Sequence, residues 1–266
     1  MPDSPDPEWL DGEMRAVLTG EHQALVRFRT GLKRVPSPPR CKLCAAPFAG
    51  PGGAILRHFG FAPFAGNPAL CENCITGFTK SGITGAEIPV SLLFADVRGS
   101  TAIAETMRPA EFRGYLDRFY RFGSDAILGR DGIVDKLVGD EVIGLFFGGV
   151  TGAAHAAAAI AAARELLVRV RARDAGPTGP IPVGAAVHTG DAYVGVTGPE
   201  GAVTDFTALG DVVNTTARLA AEATAGELLV SIDAAHAAGL ALEGLDRRTL
   251  DVRGRAESIG VVSLRP

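Results

Sequence analysis

Two apolar runs, IVDKLV and EVIGLFF, flank Gly139 and Asp140 and constrain the fold more than any other stretch of the chain. Read as a helix, the stretch would place Lys136 and Asp140 one turn apart, as an ordinary surface ion pair. The runs are instead rich in β-branched and aromatic residues, and a DG turn signal precedes them. Gly139 supplies the permissive backbone that a tight turn needs. The stretch therefore predicts a β-hairpin with Asp140 at its tip.

The segments around this hairpin alternate between strands and helices. A buried strand, VSLLFADV, precedes two helices, of which the second opens at Pro109 and repeats apolar residues at helical spacing. After the hairpin we predict a helix over 151–173, a strand or bent hairpin over 181–198, a helix from Asp211 ended by Gly226, and the strands LLVSI, RRTLDV and IGVVSL. This βαββαβ order predicts a ferredoxin-like α/β (α+β) sandwich, one sheet with helices packed on one face.

Composition divides the chain into three parts. Residues 1–39 hold one predicted helix, over 11–33, and a Pro-rich linker. Residues 40–85 hold four cysteines around a Gly/Pro-rich interior, followed by a linker, GFTKSGITGAEI. Residues 86–266 form the regular α/β part. The interior of the second part has too few periodic apolar positions to build a core, so a bound metal would order it.

The four cysteines form two CxxC pairs, Cys41 with Cys44 and Cys71 with Cys74. In a chain without an export signal, this pattern predicts a metal before a disulfide. Structural zinc held by four thiolates fits the paired spacing best. An iron–sulfur cluster and four free cysteines are the alternatives. His58 could add a ligand, but an ordinary surface histidine is the favoured interpretation.

Composition and charge exclude several classes of protein. Among 266 residues, 47% are hydrophobic and 21% charged, so a substantial core can form. The net charge of −4 does not indicate the basic surface that nucleic-acid binding requires. The sequence contains no run of roughly 18 apolar residues, the length that a membrane-spanning helix needs. Its acidic N-terminus lacks the layout of a signal peptide. We therefore expect a cytoplasmic protein that binds neither nucleic acid nor membrane.

Two aspartates are candidate metal ligands. Asp96 ends a strand otherwise fit for burial, where an Asp could also cap the following helix, and Asp140 lies at the hairpin tip. If the strand and the hairpin are neighbours, the carboxylates converge and suit hard cations such as Mg²⁺ or Mn²⁺. Backbone N–H groups at the next helix start suit phosphate, and the small residues there, Gly99, Ser100 and Thr101, would let phosphates approach.

A third motif, LGDVVNTTARL, places Asn214 and Arg218 four residues apart on one helix face. Taken alone, Asn214 and Arg218 could be exposed polar residues without a functional role. Together with a two-carboxylate site, Arg218 becomes a candidate for stabilising charge on a transferring phosphoryl group.

Four segments in order, FADVRGST, KLVGDEV, VGAAVHTGDAYVGVTG and TALGDVVNTTARL, resemble the catalytic domain of class III nucleotidyl (adenylyl and guanylyl) cyclases. The resemblance covers roughly residues 88 to 265. It implies a homodimer with composite sites, each built from both subunits. It also implies that the reaction converts ATP to 3′,5′-cyclic AMP and pyrophosphate, with two Mg²⁺ or Mn²⁺ ions assisting attack of the ribose 3′-oxygen on the α-phosphorus.

The resemblance also assigns roles to single residues. Asp96 and Asp140, with the Val97 carbonyl, match the metal ligands. Lys136 and Thr207 match the pair that reads adenine, and this pairing favours ATP over GTP. Asn214 matches the residue that orients the ribose, and Arg218 the residue that stabilises the transition state.

Three other functions are alternatives. VGDEV resembles part of the GGDEF hairpin of diguanylate cyclases, but Val138 replaces the first glycine, where the guanine substrate needs close backbone approach. A guanylate cyclase would carry a different base-reading pair. A non-catalytic nucleotide-binding or regulatory module is the alternative from another class. For the part preceding residue 86 we expect a regulatory or dimer-positioning role.

Overall fold

The structure is a computed structural model, and it describes residues 7–35, 37–80, 84–172, 179–198, 205–251 and 258–266. The chain divides into two compact units. The first unit comprises Met1–Pro89, Phe147–Ala153 and Asp191–Leu209, and the second unit comprises Val90–Phe146, Ala154–Gly190 and Gly210–Pro266. Among the described residues, every helix is too short or too polar to cross a membrane.

Ten α-helices and eight strands make up the described part of the chain. The helices are α1 Pro7–Thr19, α2 Gln23–Lys33, α3 Gly50–Leu56, α4 Glu72–Lys80, α5 Ser100–Glu105, α6 Pro109–Gly129, α7 Gly148–Thr151, α8 His155–Arg171, α9 Asp211–Glu222 and α10 Ile232–Ala237, with a 3₁₀ turn at Arg57–Phe59. The strands are β1 Gly85–Val97, β2 Ile133–Val138, β3 Glu141–Phe147, β4 Val183–Thr197, β5 Asp205–Leu209, β6 Leu228–Ser231, β7 Asp246–Leu250 and β8 Ile259–Leu264.

All eight strands belong to one sheet, in the order β2-β3-β1-β4-β6-β8-β7, with β5 paired to β4. Within it, β4 and β6 run parallel, whereas β2–β3, β4–β5, β6–β8 and β7–β8 are antiparallel. The predicted βαββαβ order is present as β1-α6-β2-β3-α8-β4. The predicted mixed α/β fold class is therefore confirmed.

The core of the second unit lies between the sheet and three helices, α6, α8 and α10. Its side chains are apolar and repeat at helical spacing on the helices and at alternate positions on the strands. Fully buried members include Phe119 and Ile127 of α6, Leu166 of α8, Ala235 of α10, Phe146 of β3 and Val187 of β4. This core fixes the strand ends on which the acidic residues lie.

The predicted hairpin is present, with β2 and β3 paired from Ile133↔Leu145 to Val138↔Glu141. Gly139 has φ 60° at the turn, a left-handed conformation that glycine adopts without strain. The register shifts between Val134 and Lys136, which marks a β-bulge in β2. The Tyr120 hydroxyl on α6 donates a hydrogen bond to the Gly139 carbonyl and so anchors the turn.

The single helix predicted over 11–33 is wrong, because two helices, α1 and α2, occupy this region. Gly20 has φ 83° and ends the first helix in a left-handed conformation. His22 then caps the second helix, since its ring nitrogen accepts a hydrogen bond from the Leu25 N–H at 3.1 Å. Apolar periodicity continues across the break, which is why the pattern did not reveal it.

Other predicted boundaries also differ from the structure. The helix predicted over 151–173 begins at His155, and the helix predicted to end at Gly226 ends at Glu222. The linker assigned to GFTKSGITGAEI contributes to α4 and β1. Several short elements were not predicted, namely β5, α3, α7 and α10. Ser231 ends the predicted strand β6 and also caps α10 by accepting a hydrogen bond from the Ala234 N–H at 3.1 Å.

In the first unit, the N-terminal helices contact a turn of small residues. The backbone at Thr19 lies so close to Gly148 that an added Cβ there would be 2.3 Å from the Thr19 carbonyl oxygen. Arg29 of α2 donates hydrogen bonds to the carbonyls of Gly149 and, at 2.9 Å, Val150. The double glycine is therefore required by close backbone approach.

Two glycines of α6 provide a matched test of packing in the second unit. A Cβ at Gly123 would lie 2.8 Å from Val142 Cγ1, whereas Gly114 is exposed and faces open space. We expect Gly123→Val to lower the free energy of unfolding by about 1–3 kcal/mol through overpacking. Gly114→Ala should raise it by about 0.5–1 kcal/mol through helix propensity. Urea denaturation measures both; equal destabilisation would contradict the close packing of α6 on β3.

Candidate active site

The structure brings Asp96 and Asp140 together in the second unit. Asp96 lies near the end of β1, and Asp140 lies in the turn between β2 and β3, beside that strand in the sheet. The Val97 N–H donates to the Asp140 carbonyl at 3.1 Å, and, in addition to burial, the negative charge of Asp140 helps to raise the pKa of Asp96. This donor set of oxygen atoms fits a hard divalent cation.

Arg98 is the nearest cation to this carboxylate pair. Its Nη2 donates to Asp96 Oδ2 at 2.7 Å, and its Nη1 donates to the Ala221 carbonyl of α9 at 3.0 Å. Burial raises the pKa of Asp96 to about 6, the charge of Arg98 opposes that rise, and the negative charge of Asp140 adds to it. Arg98 therefore compensates only part of the negative charge that would attract a metal ion.

Glu141 adds a third carboxylate next to the pair. Its pKa is raised to about 7, first by burial and then by the negative charges of Asp96 and Asp140, against the opposing charge of Arg98. Three carboxyl groups thus lie in one partly buried region with Arg98 as their counter-charge. Such a site favours either protons or a bound divalent cation.

The segment after Asp96 turns sharply into a helix. Gly99 has φ 69° and precedes α5, and its α-carbon faces open space. Thr101 is exposed and Ser100 is half-buried. Phosphate binding by these residues stays a prediction.

The predicted base-reading residues lie in different units. Lys136 is half-buried on β2, opposite Ile143 and directly after the bulge. Thr207 is buried on β5 in the first unit, opposite Gly195 of β4. The roles assigned to both residues stay predictions.

Helix α9 carries the remaining predicted site residues. Asn214 is exposed and Arg218 is half-buried, whereas Thr215 and Leu219 on the same helix are fully buried. Within the described part of the chain, the Arg218 guanidinium forms no ion pair, so its charge is available to an anionic ligand. The hydrogen bond from Arg98 to Ala221 connects this helix to the acidic site.

Three residues at the acidic site were not assigned roles from the sequence: Arg98, Glu141 and Tyr120. Arg98 lies two positions after Asp96, and Glu141 directly follows Asp140. Their charged side chains beside two candidate ligands were the available signal. Nothing in the sequence indicated that Tyr120 would hold the hairpin turn.

A second candidate metal centre lies in the first unit. The Sγ atoms of Cys41, Cys44, Cys71 and Cys74 all lie within 4.8 Å of one another. Cys41 and Cys74 are 3.8 Å apart, and Cys44 and Cys71 are 3.6 Å apart, too far for disulfide bonds. One thiolate–zinc distance of about 2.3 Å implies sulfur–sulfur separations of about 3.8 Å in a tetrahedron. The cluster therefore fits a single four-coordinate metal ion.

Electrostatics in the cysteine cluster also favour a cation. Hydrogen bonds from the other three thiols lower the pKa of Cys41 well below its usual value. The same interactions with Cys41 raise the pKa of Cys74, so one thiolate is stabilised at the expense of the next. Four adjacent thiolates require a positive ion at their centre.

The acidic site predicts a pH-dependent stability. The pKa of Asp96, about 6, lies above its ordinary 3.8, and that of Glu141, about 7, lies above 4.5. The folded state therefore favours the protonated groups, and their stabilisation is lost as pH rises through these values. Without added divalent cations, we expect Tm to fall between about pH 4 and about pH 7, the range between the ordinary and the raised pKa values. Asp140→Asn should reduce that fall by at least about 2 °C, because it removes a repelling charge.

Asp117→Asn is the matched control, since Asp117 is exposed and forms only a surface ion pair with Arg113 at 3.7 Å. It should leave the pH dependence unchanged. Scanning calorimetry of the three proteins measures the effect. An equal fall in Tm for Asp140→Asn and the original protein would contradict the proximity of the carboxylates.

Curated relatives of the chain include cyclases. An adenylate cyclase of Anabaena cylindrica is 34% identical over 133 residues, which cover 49% of this chain and 26% of that protein. A terminal-differentiation-specific adenylate cyclase of Dictyostelium discoideum is 23% identical over 65% of this chain and 8% of its own length. The chain thus spans about a quarter or less of these two relatives.

Solved structures give the same fold. The guanylyl cyclase Cya2 matches with 25% identity and a TM-score of 0.63, over 68% of this chain and 93% of that one. The adenylyl cyclase CyaB from P. aeruginosa matches with 25% identity and a TM-score of 0.59, over 68% and 95%. Residues 86–262 match the family model described as the adenylate and guanylate cyclase catalytic domain. The chain therefore belongs to the family of class III adenylate and guanylate cyclase catalytic domains.

Proposed function

We propose that this protein is an adenylate cyclase that converts ATP to 3′,5′-cyclic AMP and pyrophosphate. The observation that carries the proposal is the convergence of Asp96 and Asp140, whose segments are joined by the Val97 N–H bond to the Asp140 carbonyl, in a chain of the cyclase family. Convergent carboxylates are the ligands that Mg²⁺ and Mn²⁺ use in phosphoryl chemistry.

In the proposed reaction, the bond between the ribose 3′-oxygen and the α-phosphorus forms as the bond from that phosphorus to the β-phosphate oxygen breaks. The 3′-hydroxyl proton goes to water or to a substrate phosphate. Two Mg²⁺ or Mn²⁺ ions, held by Asp96, Asp140 and the Val97 carbonyl, would activate the attacking oxygen and neutralise the leaving pyrophosphate. Positioning and charge stabilisation supply most of the acceleration.

The side chains have distinct tasks in this proposal. Arg98 partly neutralises the charge of Asp96 and, through its hydrogen bond to the Ala221 carbonyl, fixes the end of α9 within its own subunit, from which α9 would serve the partner's metals. Asn214 orients the ribose, and Arg218 stabilises the negative charge that develops on the phosphate. The absence of an ion pair for Arg218 among the described residues supports this task.

Preference for ATP rests on Lys136 and Thr207. The similar solved structures include both a guanylyl and an adenylyl cyclase at 25% identity, so overall similarity does not distinguish ATP from GTP as the substrate. The proposed preference for ATP therefore depends on the base-reading pair. A lysine ammonium can donate a hydrogen bond to a ring nitrogen of adenine, and a threonine hydroxyl can accept one from its amino group. An acidic side chain in place of the lysine would instead accept from guanine.

The active form in this proposal is a homodimer, in which one subunit holds the metals and the other reads base and ribose. Exposed apolar residues on the hairpin support a partner surface, since Leu137 is 43% and Val138 56% exposed. The exposure of Asn214 in the single chain agrees with contact to substrate bound on another subunit.

The base-reading assignment predicts a change of substrate. Purified protein with Mn²⁺ should form cyclic AMP from ATP. We expect Lys136→Glu with Thr207→Cys to shift the ratio of kcat/KM values toward GTP by about tenfold or more. Lys33→Glu, on the exposed end of α2, is the control and should leave the ratio unchanged.

Two results would contradict these assignments. Unchanged ATP preference in the double variant would show that Lys136 and Thr207 do not read the base. Binding of ATP with no cyclic AMP from any oligomer would make the protein a non-catalytic nucleotide-binding module.

The dimer predicts complementation between inactive chains. Asp140→Ala removes a metal ligand and Arg218→Ala removes the charge-stabilising residue, so each homodimer should be inactive. A heterodimer retains one intact composite site, and random mixing should restore about a quarter of the original activity. Asp96→Ala mixed with Asp140→Ala is the control, because both sites then lack a metal ligand. Verified heterodimers without recovered activity would rule out the composite site.

We also infer that the four cysteines hold one structural Zn²⁺. Their sulfur separations of 3.6 and 3.8 Å fit one tetrahedral ion. Iron–sulfur clusters distribute their thiolates over several irons and spread them further apart than a set in which all lie within 4.8 Å. The burial of three of the four cysteines agrees with a structural site, which has no open position.

A further inference from the structure

Helix α4 links the cysteine centre to an apolar cluster in the first unit. Cys74 lies in its first turn, and Phe78 follows four residues later on the same helix face. Phe78 is 2% exposed and Cys74 is half-buried, so this face of α4 packs against the rest of the unit. A metal ion that fixes Cys74 therefore also fixes the position of Phe78.

Phe78 contacts the strand that carries a proposed base-reading residue. Its ring centroid lies 5.6 Å from that of Phe206 on β5, with the planes tilted by 59°. Phe206 is fully buried and also lies 6.3 Å from Phe147. Aromatic rings at this distance attract each other beyond the effect of the area they bury. The contact therefore restrains the position of β5.

Thr207 directly follows Phe206 on this strand. Val196 pairs with Phe206, and Gly195 pairs with Thr207, in the antiparallel β4–β5 ladder. Successive side chains of a strand point to opposite faces, so Phe206 faces the apolar cluster while Thr207 faces away from it. β5 has only five residues, and Phe206 is the larger of its two buried side chains on this side, the other being Ala208.

We propose that the metal-loaded cysteine centre sets the position of Thr207, and thereby the affinity for the nucleotide base, through Cys74, Phe78 and Phe206. The inference rests on the proposed function, because it assigns Thr207 to the base. It makes the module a positioning device for substrate binding. Loss of the metal would release the first turn of α4, and the aromatic contact would loosen with it.

Displacement of Thr207 should weaken nucleotide binding and leave the chemical step unchanged. Thr207 would contact the base, which is remote from the α-phosphorus, so a displaced Thr207 weakens binding of the ground state and the transition state alike. Such uniform binding loss raises KM and leaves kcat nearly unchanged. A purely structural role of the module would instead lower the amount of active enzyme and reduce kcat.

Phe78→Ala in the full chain tests the link without touching a cysteine. Metal analysis should still find one zinc and no iron per chain, and the protein should lack visible absorption. We expect KM for ATP to rise about fivefold to tenfold with kcat within about twofold. Hydrogen exchange of the β5 amides should become about tenfold faster, because the strand opens more readily.

Phe59→Ala is the matched control, since Phe59 belongs to the same module and is 66% exposed. It should change neither KM nor exchange at β5. Cys74→Ser should lose the zinc and reproduce both effects of Phe78→Ala. Phe78→Leu, which keeps an apolar side chain, should fall between Phe78→Ala and the original protein.

Unaltered KM and unaltered β5 exchange in zinc-loaded Phe78→Ala would overturn the inference. Iron in place of zinc would correct the metal assignment while leaving the link to be judged by exchange. If the original protein makes no cyclic nucleotide, the proposed function fails. The exchange of β5 in Phe78→Ala and Cys74→Ser then still decides whether the cysteine centre controls this strand.

Discussion

Asp96 and Asp140 repel each other, yet the backbone holds these two acidic residues close together. The Val97 N–H bond to the Asp140 carbonyl fixes the two chain segments, and the hairpin turn at Gly139 sets where the second carboxylate lies. Burial adds to the repulsion and raises the pKa of Asp96 to about 6. A fold maintains such an arrangement only where the strands around it are firmly packed. The core of α6, α8 and the central strands provides that packing.

The sequence predicted the features that depend on local chemistry. The turn at Gly139, the strand ending at Asp96 and the helix carrying Asn214 and Arg218 follow from backbone freedom, apolar runs and helical spacing. The predictions were wrong or incomplete for elements whose position depends on tertiary contacts. The break at Gly20 depends on where the chain must reverse, and β5 becomes a strand only by pairing with β4. Short elements of this kind have too little periodicity to stand out from a loop.

For the site, too, local features could be predicted from the sequence and tertiary contacts could not. Asp96, Asp140 and the four cysteines were recognisable because their residue types and spacing suit a metal. Arg98 and Glu141 were visible as charges, but their effect on the carboxylates depends on burial, which the sequence does not give. Tyr120 reaches the Gly139 carbonyl from a different helix, nineteen positions earlier in the chain. Contacts of this type follow from how the helix packs on the hairpin and not from either segment alone.

The two centres suit cations of opposite character. Carboxylate oxygens at Asp96 and Asp140 attract hard ions that exchange with substrate, whereas four thiolates retain a soft, permanently bound ion. A permanently bound ion is a suitable anchor for a strand that must not shift as substrate and its metals come and go. In this proposal, a small module without a large core of its own influences nucleotide binding. The ion would hold Cys74 by coordination, and Phe78 would follow because it lies on the same helix.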